Sequence, residues 1–172
     1  WTGSGWSKMI ADNPYPEMCD VGIGDGRNDG VMRVYVGSSG DGQFSEYSWD
    51  GSSWVWYDTD IDGSYGTCVG DGRNNGIMRV YVEWGFLFEL TLTGSNWTVE
   101  EVGRGQGISS FKDIAIGDGR NDGVMRIYAT HADNHIYEFS YSGGDWAKVA
   151  IGSGRSYMEG VAVGKGRNDG IM

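Results

Sequence analysis

Apolar and polar positions along this chain fall into short alternating runs, not into the 3.6-residue stripe of a long helix. Val31–Val36, Ile77–Val82 and Val124–Ala129 are such runs, as are Phe44–Trp49, Leu87–Leu92 and Ile136–Tyr141. Trp54–Tyr57, Trp97–Val102 and Trp146–Ile151 form a third set, and Cys19–Ile23 and Asp113–Ile116 a fourth. All are rich in Val, Ile, Tyr, Trp and Phe and are bounded by Gly, Asn, Asp or Ser, which predicts strands joined by tight turns.

The runs recur with a period. Val21–Tyr35, Val69–Tyr81, Ile114–Tyr128 and Val161–Met172 share one pattern, a Gly-Asp-Gly-Arg-Asn-Asp-Gly loop between two apolar stretches. Their first aligned glycines, Gly24, Gly70, Gly117 and Gly164, are 46, 47 and 47 residues apart. A second element keeps the same register: Trp1…Trp6, Trp49…Trp54, Leu92…Trp97 and Tyr141…Trp146, each with a glycine between them.

Four strand-like runs, here a to d, in a repeat of about 47 residues fit an all-β fold, a β-propeller of four-stranded antiparallel blades. Strand a fits the crowded centre of such a fold. Gly22, Cys68, Ala115 and Ala162 are small there, and the adjacent Ile23, Val69, Ile116 and Val163 are branched and apolar. A sandwich and a β-solenoid are the competing all-β readings, and neither demands this period. The expected division is a partial blade set of about 3.7 repeats. Residues 1–14 end one blade, 15–64, 65–110 and 111–157 are blades, and 158–172 begin another. Four repeats would span about 188 residues, so further blades are expected, from the same longer chain or from another copy.

Composition narrows the function. Gly numbers 31, Pro only 2, and there are 8 Trp and 10 Tyr, as turn-rich β structure requires. Net charge is −11, with 13 basic against 24 acidic residues, which argues against a nucleic-acid partner. No run of 18 apolar residues is present, so no segment reads as a membrane span. Cys19 and Cys68 are not spaced as zinc ligands and form no disulfide-dense framework; whether they bond to each other is left open.

The loop carries the candidate binding residues: Asp25, Arg27, Asn28 and Asp29; Asp71, Arg73 and Asn74; Asp118, Arg120, Asn121 and Asp122. Gly, Asn and Asp suit a tight turn on their own account. Val161-Ala-Val-Gly, with an Asp-containing loop ending Asp-Gly and an apolar strand after it, resembles the FG-GAP/VCBS type of propeller repeat. That family includes the integrin α-subunit propeller and bacterial surface proteins. The resemblance implies a Ca²⁺ loop with oxygen ligands at positions one, three, five and nine. Asp25 and Asp29 match positions one and five, as do Asp118 and Asp122. Position three is Arg27, Arg73, Arg120 or Arg167, and position nine is Arg33, Arg79 or Arg126. Asn75 and Lys165 depart further. Calcium needs several anionic oxygens, so no metal or other cofactor is expected. Instead, the guanidinium of Arg27 or Arg33 is expected to take the cation's place, bonding Asp25 and Asp29.

Other features read as structural. Arg33, Arg79 and Arg126 on strand b are expected to face Glu46, Glu89 and Glu138 on strand c as cross-strand pairs. His131, Asp133 and His135 occur in one repeat only and are expected in a solvated loop. No Ser/His/Asp set, nucleophile elbow or phosphate loop is recognisable. The expected function is a non-catalytic extracellular or cell-surface binding or adhesion propeller whose partner is a glycan or a protein surface. Trp54, Trp97 and Trp146 would stack on sugar faces at several equivalent weak sites. The alternatives are a purely structural or protein-interaction array and a fragment of a propeller polysaccharide lyase or hydrolase.

Overall fold

A computed structural model of the chain describes residues 17–39, 43–104, 111–156 and 158–164. Trp1, Trp6 and the fourth loop from Lys165 onward lie outside these residues. Twelve strands and no helix are formed among them. The first repeat contains β1 (Met18–Gly24), β2 (Arg33–Ser38), β3 (Gln43–Trp49) and β4 (Trp54–Asp62). The second contains β5 (Gly66–Gly70), β6 (Arg79–Trp84), β7 (Phe86–Thr93) and β8 (Asn96–Gly103). The third contains β9 (Phe111–Gly117), β10 (Arg126–His131), β11 (His135–Ser142) and β12 (Asp145–Ser153).

Each repeat is one antiparallel sheet whose strands lie in chain order. Registers correspond: Gly24 faces Arg33, Gly70 faces Arg79 and Gly117 faces Arg126. Strand b therefore begins two residues later than the apolar pattern predicts. Val31 and Met32, with their counterparts, still belong to the loop, because an Asx turn closes just before them: Asp29 Oδ1 accepts the Val31 amide at 3.0 Å. Strand d of the first repeat runs on to Asp62, past the apolar stretch that ends at Tyr57.

Between sheets, β1 packs on β5 and β5 on β9, while the last strands β8 and β12 barely touch. Tyr35, Phe44 and Ile61 of the first sheet close on Val80, Val82 and Leu90 of the second. Tyr81, Leu87 and Val102 of the second sheet close on Phe111, Ile114, Ile127 and Phe139 of the third. The first glycine of each loop makes this approach possible. A Cβ at Gly24 would lie 2.4 Å from Val69 Cγ1, one at Gly70 would lie 2.8 Å from Ile116, and one at Gly117 would lie 2.5 Å from Val163. Residues 158–164 thus follow the third sheet in the same geometry.

Cys19 is an exposed thiol and Cys68 a buried one, and they are not bonded. Burial, with Asp20 and Asp113 nearby, pushes the Cys68 pKa up.

Candidate functional site

The repeated loop is built the same way in each described copy, and most of its polar side chains have a partner within the chain. The Asp at position one caps the turn. Asp25 accepts the amides of Asp29 and Gly30 at 3.1 and 2.8 Å. Asp71 takes those of Asn75 and Gly76, and Asp118 those of Asp122 and Gly123. The second glycine lies over a tyrosine hydroxyl: a Cβ at Gly26, Gly72 or Gly119 would come within 2.7 Å of Tyr35, Tyr81 or Tyr128 Oη. The last glycine takes a φ of 81–83° in all three copies, open to glycine without strain.

The position-five side chain anchors strand b. Arg33 grips Asp29 through two 2.7 Å bonds and reaches Val31 O at 3.0 Å. Arg126 does the same with Asp122 and Val124 O. Where Asn75 replaces Asp, Arg79 still donates to its Oδ1 at 3.0 Å and to Ile77 O at 2.9 Å. The Arg33 guanidinium holds the Asp29 carboxyl down at about 2. Arg126 lowers Asp122 in the same manner.

The expected sharing of one guanidinium by Asp25 and Asp29 is therefore only half right. Asp29 binds Arg33, whereas Asp25 accepts two backbone amides instead; in the second copy Arg79 stands 4.0 Å from Asp71. Arg27 turns away to Glu46, its Nε 2.8 Å from Oε2. Arg73 meets Glu89 and Arg120 meets Glu138 in the same way. Glu46, Glu89 and Glu138 are all buried. Each also lies by the strand-b arginine, at 3.2, 3.1 and 3.7 Å. The expected cross-strand pairs are present, but each glutamate serves two arginines. A buried carboxylate needs such pairing to stay charged.

The loop asparagine supplies what the sequence analysis did not foresee. Asn28 and Asn74 sit at φ 57 and 55°, a left-handed conformation that asparagine tolerates. Their side chains reach into the next sheet. Asn28 Nδ2 donates to Met78 O at 2.8 Å while its Oδ1 accepts the Met78 amide at 2.6 Å. Asn74 clasps Met125 likewise, at 3.0 and 2.7 Å. Asn121 keeps the φ of 57°, and Met172, at the place of Met78 and Met125, lies outside the described residues. A second clasp joins inner strands: Asp20 accepts the Thr67 amide at 2.6 Å, and Asp113 that of Val161 at 2.7 Å. The signal was the aspartate four places before the first loop glycine in the first and third copies, where the second and fourth have Gly66 and Gly160.

The three tryptophans differ. Trp97 and Trp146 are wedged between sheets, edge-on to Tyr35 and Tyr81 at 6.1 Å. Trp54 holds the equivalent place on the first sheet, where no sheet covers it among the described residues, and it packs edge-on to Trp49. Outward of the loop the repeats diverge. The strand-d residue beside the Arg–Glu pair is Tyr57, Glu100 or Val149. The Arg27 guanidinium lies over Tyr57, and Arg73 adds a bond to Glu100.

His131 corrects the solvated-loop expectation. It is fully buried, edge-on to Phe111 at 5.0 Å. The segment is a tight hairpin turn with Asn134 at φ 68°. Asp133 Oδ1 lies 2.9 Å from His131 Nδ1 and 3.2 Å from His135 Nδ1, and Asp133 Oδ2 accepts the Tyr137 hydroxyl. Among the described residues, no group of three or more His, Cys, Asp or Glu is arranged to hold a metal. Compared with known protein families and with curated proteins, the chain matches none.

Proposed function

We propose that the chain is part of a β-propeller acting as a non-catalytic binding or adhesion module at the cell surface or outside the cell. Support for the propeller is that sheets meet through their first strands while their last strands diverge, as blades around an axis would. Support for a binding role comes from where the repeats differ. The loop is nearly the same in each copy, and its residues bind one another. The rim beside it changes from Tyr57 to Glu100 to Val149, which gives each blade its own surface chemistry. The observation that carries the reading is the Arg27–Tyr57 platform. Arg27 stands 5.9 Å from the centroid of the half-exposed Tyr57 ring. A planar donor fork beside an aromatic ring suits a polyhydroxylated ligand, with hydroxyls bonded and a sugar face packed. A glycan is therefore the proposed ligand class. Glycan-array and polysaccharide pull-down binding by the whole chain, compared with Tyr57→Ala, tests it. Binding lost on that substitution is expected; unchanged binding, or none to any glycan, would overturn it.

A second reading, a structural array without a small ligand, is favoured by the loops themselves, whose side chains are spent on turns, ion pairs and clasps. Binding to a protein surface with no glycan uptake would favour that reading.

A further inference from the structure

At position five the second loop departs from the first and third, yet the atoms around that position do not. The residue is Asp29 in the first copy and Asp122 in the third, but Asn75 in the second. Arg33 Nη1 and Nη2 bond the two oxygens of Asp29 at 2.7 Å each. Arg126 bonds those of Asp122 at 2.8 Å each. Arg79 keeps the first of these bonds, to Asn75 Oδ1 at 3.0 Å, and holds Ile77 O at 2.9 Å as its counterparts hold theirs. At the place of the second oxygen Asn75 carries Nδ2, a donor, while the guanidinium opposite has only donors. Arg79 is buried, and its Nε lies 3.1 Å from Glu89 Oε1, so the guanidinium stays where it would grip a carboxylate. The surroundings suit aspartate, and asparagine stands there.

The chain also supplies a route from one to the other. Asn75 is followed by Gly76, and no other asparagine of the sequence precedes a glycine. Both residues are exposed. A β-carbon on the following residue hinders attack by its amide nitrogen on an asparagine side chain. Gly76 has none, and nothing lies within 4 Å of the place a Cβ would take. The Gly76 amide donates to Asp71 Oδ2 at 2.6 Å, which sets a carboxylate on the proton that this nitrogen must give up.

We propose that Asn75 is a deamidation site, at which the folded chain converts asparagine to the aspartate that Arg79 is placed to grip. Gly76 N attacks Asn75 Cγ, its proton passes by way of Asp71 to the departing Nδ2, and ammonia leaves behind a cyclic imide. Water then opens the imide. Cleavage of the new Cγ–N bond restores the backbone and leaves aspartate. Cleavage of the Asn75 C–N bond leaves isoaspartate, with the main chain running through the side chain. The net change is one water taken up and one ammonia released. The fold bears on the second step. Isoaspartate lengthens a turn in which the amides of residues 75 and 76 both sit on Asp71, whereas aspartate completes the two-bond grip seen at Asp29 and Asp122. The folded chain therefore favours aspartate. This chemistry is independent of any glycan reading.

Ageing the whole folded chain at mildly alkaline pH tests it. Trypsin cuts after Arg73 and Arg79, so the peptide Asn74–Arg79 reports the site, and fragment mass spectrometry separates Asn75 from Asn74. Asn75 is expected to take on the mass gain of an amide-to-acid change ahead of every other asparagine. The share of aspartate over isoaspartate should exceed that of the same chain aged in urea, where Arg79 is no longer in place. Arg79→Lys, which lacks the fork, should lower that share. Asn75→Asp supplies the product directly and should melt about 1–4 °C above wild type. Asn75 left unchanged while other asparagines convert would overturn the proposal. So would an isoaspartate share equal to that in urea, or an Asn75→Asp chain that melts at or below wild type.

Discussion

Asn74 ties the second sheet to the third, and its replacement separates two effects. Asn74→Gly removes the paired bonds to Met125 while relieving a left-handed backbone at φ 55°. A net hydrogen bond contributes about 0.5–1.5 kcal/mol. These two are solvent-accessible, so the low half of that range applies and the expected loss is about 1–2 kcal/mol. Asn74→Ala loses the same bonds and forces a β-carbon into the left-handed region, adding about 1 kcal/mol. The order of stability should be wild type, then Gly, then Ala. Urea unfolding measures it, and amide exchange locates it. The Met125 amide should exchange faster in both variants, because its acceptor is gone. The clasp sits between repeats, so its loss lowers coupling between neighbours. The unfolding transition should therefore broaden as well as shift. If Asn74→Gly matches wild type in midpoint and breadth, with Met125 exchange unchanged, the clasp contributes nothing and the account of this loop is wrong.

Three further outcomes are expected. Arg126→Met strips Asp122 of its two-bond partner and leaves Glu138 to Arg120 alone. Melting should fall by roughly 2–6 °C, with Arg126→Lys restoring only part because it lacks the fork; unchanged melting would rule out a structural role for the pair. Glu83 is buried, and burial raises its carboxyl from 4.5 to about 7. The folded state then keeps a proton that the unfolded chain releases, so this stabilisation is full below pH 4.5 and is lost as pH rises to about 7. Glu83→Gln should flatten that slope and add about 1–3 kcal/mol at pH 8, read from urea midpoints at pH 5 and 8; a slope identical to wild type would refute it. Chelator or millimolar Ca²⁺ should leave the melting temperature unchanged, since Asp25 already accepts two backbone amides; a large calcium-dependent rise would contradict the loop chemistry.

The strands were legible in the sequence because each is a short branched or aromatic run closed by Gly, Asn or Asp. Their limits were less so. Val31 and Ile77 look like strand residues, yet Asp29 and Asn75 bend the backbone there. Met78 is likewise turned outward to meet a side chain 50 residues away. A hydrophobic pattern registers composition and not that distant partner. The grip of Arg33 on Asp29 was legible, because an arginine four places on from a carboxylate can close on it. The release of Asp25 from that grip was not, since it depends on which backbone amides the turn points inward. His131 was misplaced because its short loop is a hairpin packed against Phe111, which precedes it by 20 residues.

One consequence joins these points. Several loop residues answer to two constraints at once, the turn of their own repeat and the face of the next. Gly24 must clear Val69, Gly26 must clear Tyr35, Asn28 must reach Met78, and Arg27 must reach Glu46. A change at Gly24, Gly26 or Asn28 disturbs two sheets, and one at Arg27 breaks the ion pair inside its own sheet, which together account physically for the near-sameness of the loop among its copies without invoking a ligand. At strand d that double constraint lapses, and Tyr57, Glu100 and Val149 occupy equivalent places. Substitutions at these three places should therefore change the surface chemistry of one sheet while leaving the sheets folded.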